Sequence, residues 1–181
     1  MSTAITYTGK AKHEGDNNIY QVSLTSLEKA IEQIKKTWSK DEKLIDIIEE
    51  LAGYITDHPT RKIIGLEKKL EQGERAELID NAILLKNRFE RRIAKNQMSM
   101  SEQHVYIQVL SAINTSWTYN IRPLIESGEN IKVIDQAIWK ELIEPVHKAI
   151  VSYDCTINTD LVSGMLYFLT GKCHLAWGQQ C

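Results

Sequence analysis

From Leu24 onward, apolar residues return every three or four positions, and glycine and proline rarely interrupt them. Leu24, Leu27, Ile31, Ile34 and Trp38 are spaced as one face of a helix, with Lys and Glu between them. The same period recurs in Leu44, Ile47, Ile48, Leu51 and Ile55. It recurs again in Ile79, Ala82, Ile83, Leu85, Phe89 and Ile93. Val105, Val109, Ala112, Ile113, Trp117 and Ile121 form a further stripe, and so do Ile134, Ile138, Leu142, Val146 and Ile150. A chain of 181 residues with 9 glycines and 3 prolines can continue such patterns with few breaks. It is also long enough to bury a core without disulfides or metal. The pattern predicts an all-α fold, a compact bundle or array of about seven helices without a fixed-length repeat.

Local signals predict the helix ends. Ser39 with Glu42, and Ser99 with Glu102, read as capping boxes. Asp57-His58-Pro59 stops the second helix, because a residue before proline avoids the α region. Thr60 caps a short third helix reaching about Glu71, with Gly73 as its stop, and a long helix follows from about Glu74 to Lys95. The helix that opens at Ser99 is expected to reach about Ile125, with Pro123 near its end to kink or terminate it and Gly128 to break it. Pro145 is expected to kink the helix over 131–151. Asn158 or Thr159 caps a last helix that Gly171 closes. Residues 1–23 lack the helical period. They read as an irregular, flexible arm with one short strand at most, which leaves 24–181 as the helical domain.

Charge and cysteine content narrow the function. With 22 basic and 24 acidic residues the net charge is −2, so no strong basic field is available for a nucleic-acid backbone. Three cysteines, an odd number, argue against a disulfide framework, and no signal peptide precedes them. A reducing cytoplasm is the expected location. Apolar runs such as LVSGMLYFL are too short to span a bilayer. No Gly-rich phosphate loop is present.

Four clusters invite a chemical reading. Cys173-His174 pairs a thiol with an imidazole, but adjacent residues point apart, and Cys173 follows a helix C-terminus, where the dipole has the wrong sign to activate a thiolate. A zinc site from His147, Cys155, Cys173, His174 and Cys181 lacks the short CxxC or HxxxH hooks that structural zinc uses. Packing is the simpler reading, with Cys173 and Trp177 inward and His174 hydrogen-bonded or exposed. Arg88, Arg91, Arg92 and Lys95 in NRFERRIAK could meet phosphates, although Glu90 interrupts them. The Arg and His spacing of HEPN-type RNases is absent. His58 and Arg61 in Asp57-His58-Pro59-Thr60-Arg61 are polar candidates that a turn and a helix cap also explain. No catalytic residue, cofactor or metal is expected from these patterns.

HPTRKIIGLEKKLEQGER (58–75), INTSWTYNIRPLI (113–125), IEPVHKAI (143–150) and LVSGMLYFLTGKCHLAW (161–177) together resemble the helical C-terminal domain of ABC-three-component systems. The GDNN stretch (15–18) is similar to the linker that often precedes that domain. The resemblance spans about 15–177, and its most specific part is the last motif, with Gly164, Leu166, Tyr167, Phe168, Leu169, Gly171, Cys173, His174 and Trp177. It implies a non-enzymatic adaptor in a bacterial anti-phage system of the Lamassu kind. The partners it implies are an SMC-like ABC ATPase, a small middle component, and an effector acting in trans or parted from this chain. Homodimerisation is a further expectation, contact with nucleic acid is expected only indirectly, and no membrane is expected. A nucleic-acid-binding or regulatory helical protein is the alternative. The motif itself is expected to serve as core or as interface.

Overall fold

The computed structural model describes residues 44–56, 64–96 and 99–178. The arm over 1–23, the helix expected over 24–38, the Ser39–Glu42 cap and the Asp57-His58-Pro59 stop lie outside the described residues. So do His58 and Arg61.

Among the described residues the fold is all helical, in six rods. The first three are α1 (Leu44–Ile55), α2 (Gly65–Gln72) and α3 (Ile79–Lys95), the last entered through a 3-10 turn, Ala76–Leu78. The fourth, over 100–126, joins α4 (Met100–Ser116) to α5 (Arg122–Glu126) through a π-helical turn, Trp117–Ile121. The fifth, over 131–151, joins α6 (Ile131–Ala137) to α7 (Glu144–Val151) through a second π turn, Ile138–Ile143. The sixth is α8 (Thr159–Gly171).

Two helices are buried on more than one face. In α4 the expected stripe is joined in the interior by Gln103, Tyr106, Ile107 and Leu110. In α8 every residue from Leu161 to Thr170 except Ser163 is buried. Helices that are apolar nearly all round belong at the centre of a bundle. α3 packs mainly on α8, and α1 on α4. On α3 the inward face is Ala82, Leu85, Phe89 and Ile93. Phe89 meets Tyr106 and Phe168 edge-on, with ring centroids 5.6 and 5.3 Å apart, which ties α3, α4 and α8 together. Ile55, expected on the inward stripe of α1, is instead exposed.

The two prolines among the described residues each follow a π turn. Pro123 and Pro145 each lie in the first turn of the α segment that follows one. Proline has no N–H to return to the carbonyl four residues back. The Glu141 carbonyl, four residues before Pro145, accepts from Ser116 Oγ at 2.7 Å. The rod expected to reach about Ile125 ends at Glu126, and its irregularity falls just before Pro123.

Three helix ends close in the same way. After α2, Arg75 N–H reaches Leu70 O and Glu74 N–H reaches Glu71 O, with Glu74 left-handed at φ 57°. After α5, Gly128 (φ 71°) takes that place. After α8, His174 N–H reaches Leu169 O and Cys173 N–H reaches Thr170 O, with Cys173 at φ 65°. These are Schellman closures, each needing one left-handed residue. The expected stops hold, since Gly73 caps α2 and Gly171 is the last residue of α8. Neither is left-handed, however, and Glu74 and Cys173 carry the turn. Because Glu74 ends one helix it cannot begin the next, so α3 starts at Ile79 rather than Glu74. Thr60, the expected cap of the short third helix, lies outside the described residues; α2 is described from Gly65, a glycine with a positive φ of 76°. Asn158 caps α8 as expected, its side chain accepting from Leu161 N–H at 3.0 Å. Ser99 precedes α4 without a side-chain cap bond. Ser99 N–H goes to Asn96 O, and Glu102 accepts from Asn96 Nδ2 and from the Tyr106 hydroxyl, the latter at 2.6 Å.

Candidate functional site

The C-terminal motif begins at the seam between α8 and α3. A Cβ on Gly164 would stand 2.5 Å from Leu85 O and 3.4 Å from Phe89 Cβ. Only glycine lets the two backbones approach so closely. Leu166, Phe168 and Leu169 are enclosed, and Tyr167 is 8% exposed. Gly171 is half-buried beside Lys86 and Leu66, at ordinary contact distance.

Beyond Cys173 the chain folds back over the bundle and is held by its own backbone. Lys69, 3% exposed, donates Nζ–H to Thr170 O at 2.9 Å and to Leu175 O at 3.0 Å. An ammonium at the end of α8 also meets the negative end of that helix dipole. Arg122 donates to Gly178 O at 2.8 Å. Trp177 donates Nε1–H to Thr170 Oγ1 at 3.0 Å and lies 4.8 Å from the Trp117 ring and 6.4 Å from Tyr167. Its Cβ would be 2.9 Å from a side chain at Gly73, so it is contact with the returning chain that requires glycine there.

This geometry settles where the thiol and imidazole stand. Cys173 is wholly buried. His174 is half-buried, with Nε2 3.3 Å from Thr56 O and its ring 5.7 Å from that of Tyr54. Exposed Cys155 is elsewhere, in the connection before α8. No group of three or more His, Cys, Asp or Glu side chains among the described residues is placed to hold a metal ion.

The arginines of α3 separate into two kinds. Arg92 turns inward, donating to Tyr106 Oη and Thr156 Oγ1 at 2.9 Å each and to the Asp154 carboxylate. Burial opposes the ionised form of Asp154, but hydrogen bonds from Thr156 and the Arg92 charge hold its carboxyl below the usual range. Tyr106 is pushed up to about 12, first by burial and then by donating to Glu102. Asn96 and Arg92 partly offset that rise. The network fixes the connection between α7 and α8 against α3 and α4. Arg88 and Arg91 point outward, with Arg88 only 4.0 Å from Asp160.

Sequence reasoning missed Lys69, Arg75 and Arg122 because each reads as a surface charge. Arg75 is 2% exposed and donates to Gly73 O, Ile131 O and Asp135 Oδ1. One signal was present, since Lys69 shares the three- to four-residue spacing of Leu66 and Leu70. Large apolar side chains also remain outside: Tyr119 is 64% exposed and Trp139 49%, one on each π turn, and Leu84 on α3 is 60% exposed.

Residues 65–177, from the start of α2 through Trp177, match the family model of C-terminal domain 9 of the ABC-three component (ABC-3C) systems. The chain belongs to this family. No curated protein and no solved structure matches it. The ABC-3C match ends at the same Trp177 that anchors the returning chain, so the matched segment contains the Gly164 seam and the Lys69 clamp. No helix among the described residues is long and apolar enough to cross a membrane.

Proposed function

We propose that this ABC-3C domain is a non-enzymatic adaptor of a bacterial, cytoplasmic anti-phage system. It couples an effector to an SMC-like ABC ATPase and the small middle component. The observation that carries this reading is the family match over 65–177, since components of a three-part system must contact one another. The motif most specific to the resemblance supports it. Its thiol, imidazole and aromatic groups are engaged in packing and backbone contacts, which suits a scaffold better than a reaction centre. Partners would then meet outward groups such as Tyr119 and Trp139, the residue types most enriched at binding hot spots.

Co-expression of the full chain with the ATPase and middle component tests the proposal. The three are expected to elute together in size-exclusion chromatography. Elution of the chain alone, with nucleic-acid or peptide hydrolysis in its own fractions, would overturn the reading.

A further inference from the structure

The outward face of α3 is left unused by the core and by the C-terminal motif. Leu84, Arg88, Arg91 and Lys95 follow at steps of four, three and four, so they share one line along the helix. All four are exposed, and Leu84 is among the most exposed large apolar side chains described. The other cations of α3 are occupied, Lys86 by Glu90 at 2.9 Å and Arg92 by Asp154, Thr156 and Tyr106. Among the described residues Arg91 and Lys95 have no partner, and Arg88 has only the distant Asp160. The helix dipole explains a cation in the last turn, where Lys95 lies. Its influence fades within that turn and leaves Arg88 unexplained.

We infer that this face docks an acidic amphipathic helix of another component of the system, with an apolar residue on Leu84 and carboxylates facing Arg88, Arg91 and Lys95. The inference rests on the adaptor reading and names one of its surfaces. Charge complementarity selects the occupant. Three positive side chains follow one exposed leucine along roughly 16 Å, about three turns, which a short helix can match residue for residue. A nucleic-acid backbone fits less well. Leu84 offers nothing to a phosphate, and Asp80, Glu90 and Asp160 on or beside α3 repel one. The protein's net charge of −2 adds to that repulsion.

The test uses the full chain with purified ATPase and middle component, and two surface variants, Leu84→Ala and Arg91→Glu/Lys95→Glu. Because these side chains are solvated, thermal melts are expected to match the parent. The charge reversal is expected to weaken binding to one of the two components by roughly tenfold or more at low salt, with less loss at high salt. Leu84→Ala is expected to weaken the same complex at both salt concentrations. If the parent binds and both variants bind equally well, this inference fails and the adaptor reading stands. If the parent binds neither component, the adaptor reading fails and takes the inference with it. Binding of a DNA duplex that only the charge reversal abolishes, with the protein complexes unchanged, would assign the face to nucleic acid and overturn the inference.

Discussion

Replacing Gly164 by alanine opposes two effects of known sign. In a solvated helix interior, Gly→Ala stabilises by about 0.5–1 kcal/mol, because glycine loses more backbone freedom on folding. At Gly164 the added methyl would sit 2.5 Å from Leu85 O and 3.0 Å from Leu85 C, both backbone atoms of the facing helix. No rotamer relieves that contact, so α3 and α8 must separate by several tenths of an ångström along the most heavily packed seam of the bundle. Overpacking of this kind costs about 1–3 kcal/mol, and here the contact belongs at the upper end. The net loss is about 2 kcal/mol. For a domain of this size that lowers Tm by about 4–8 °C. Gly53→Ala on α1 supplies the control, because nothing lies within 4 Å of its would-be Cβ. The same substitution there is expected to raise Tm slightly. Thermal and urea melts followed by circular dichroism read both. An unchanged or higher Tm for Gly164→Ala would refute the close-approach argument.

Other expected outcomes follow from the same geometry. Glu74→Gly relieves a left-handed, exposed position and is expected to stabilise by about 0.5–1 kcal/mol in urea melts, whereas Gly73→Ala is expected to destabilise by driving into Trp177. Phe168→Ala removes a ring that meets Phe89 and is expected to cost about 3–5 kcal/mol, a large part of the about 5–15 kcal/mol that holds a domain. Truncation after Ser163 is accordingly expected to yield aggregated protein on size-exclusion chromatography. Tyr106 keeps its proton in the folded state up to about pH 12, while the unfolded chain releases it near 10. Its contribution is therefore complete below pH 10 and lost as pH rises towards 12, and Tyr106→Phe is expected to flatten that decline in melts across the window.

Much of the architecture was legible because burial follows period. The stripes through Leu85, Phe89 and Ile93, and through Val105, Val109 and Ile113, are the observed inward faces. What period could not show was how central α4 and α8 are, since a helix buried on several sides has no single stripe. Helix ends were less legible. Glycine is a fair marker of a left-handed residue, yet here Glu74 and Cys173 hold two of the three closures. Gly73 is needed for a contact with a residue about a hundred positions away, which no local rule detects. Sequence separation also hid the roles of Lys69, whose carbonyl partners are 101 and 106 positions away, and of Arg122, which is 56 positions from its partner Gly178 O. Of the polar candidates, Arg92 looked like its neighbours Arg88 and Arg91, and only the fold of the 152–157 connection turned it inward.

The account's central claim is that the C-terminal motif completes the core while outward faces remain for partners. Hydrogen exchange of the full chain, alone and with the ATPase and middle component, measures this directly. Peptides covering 84–95 or 117–126 are expected to slow on complex formation, while those covering 164–177 exchange slowly and equally in both states. Fast exchange in 164–177 that slows only with partners, or no slowing anywhere, would contradict it.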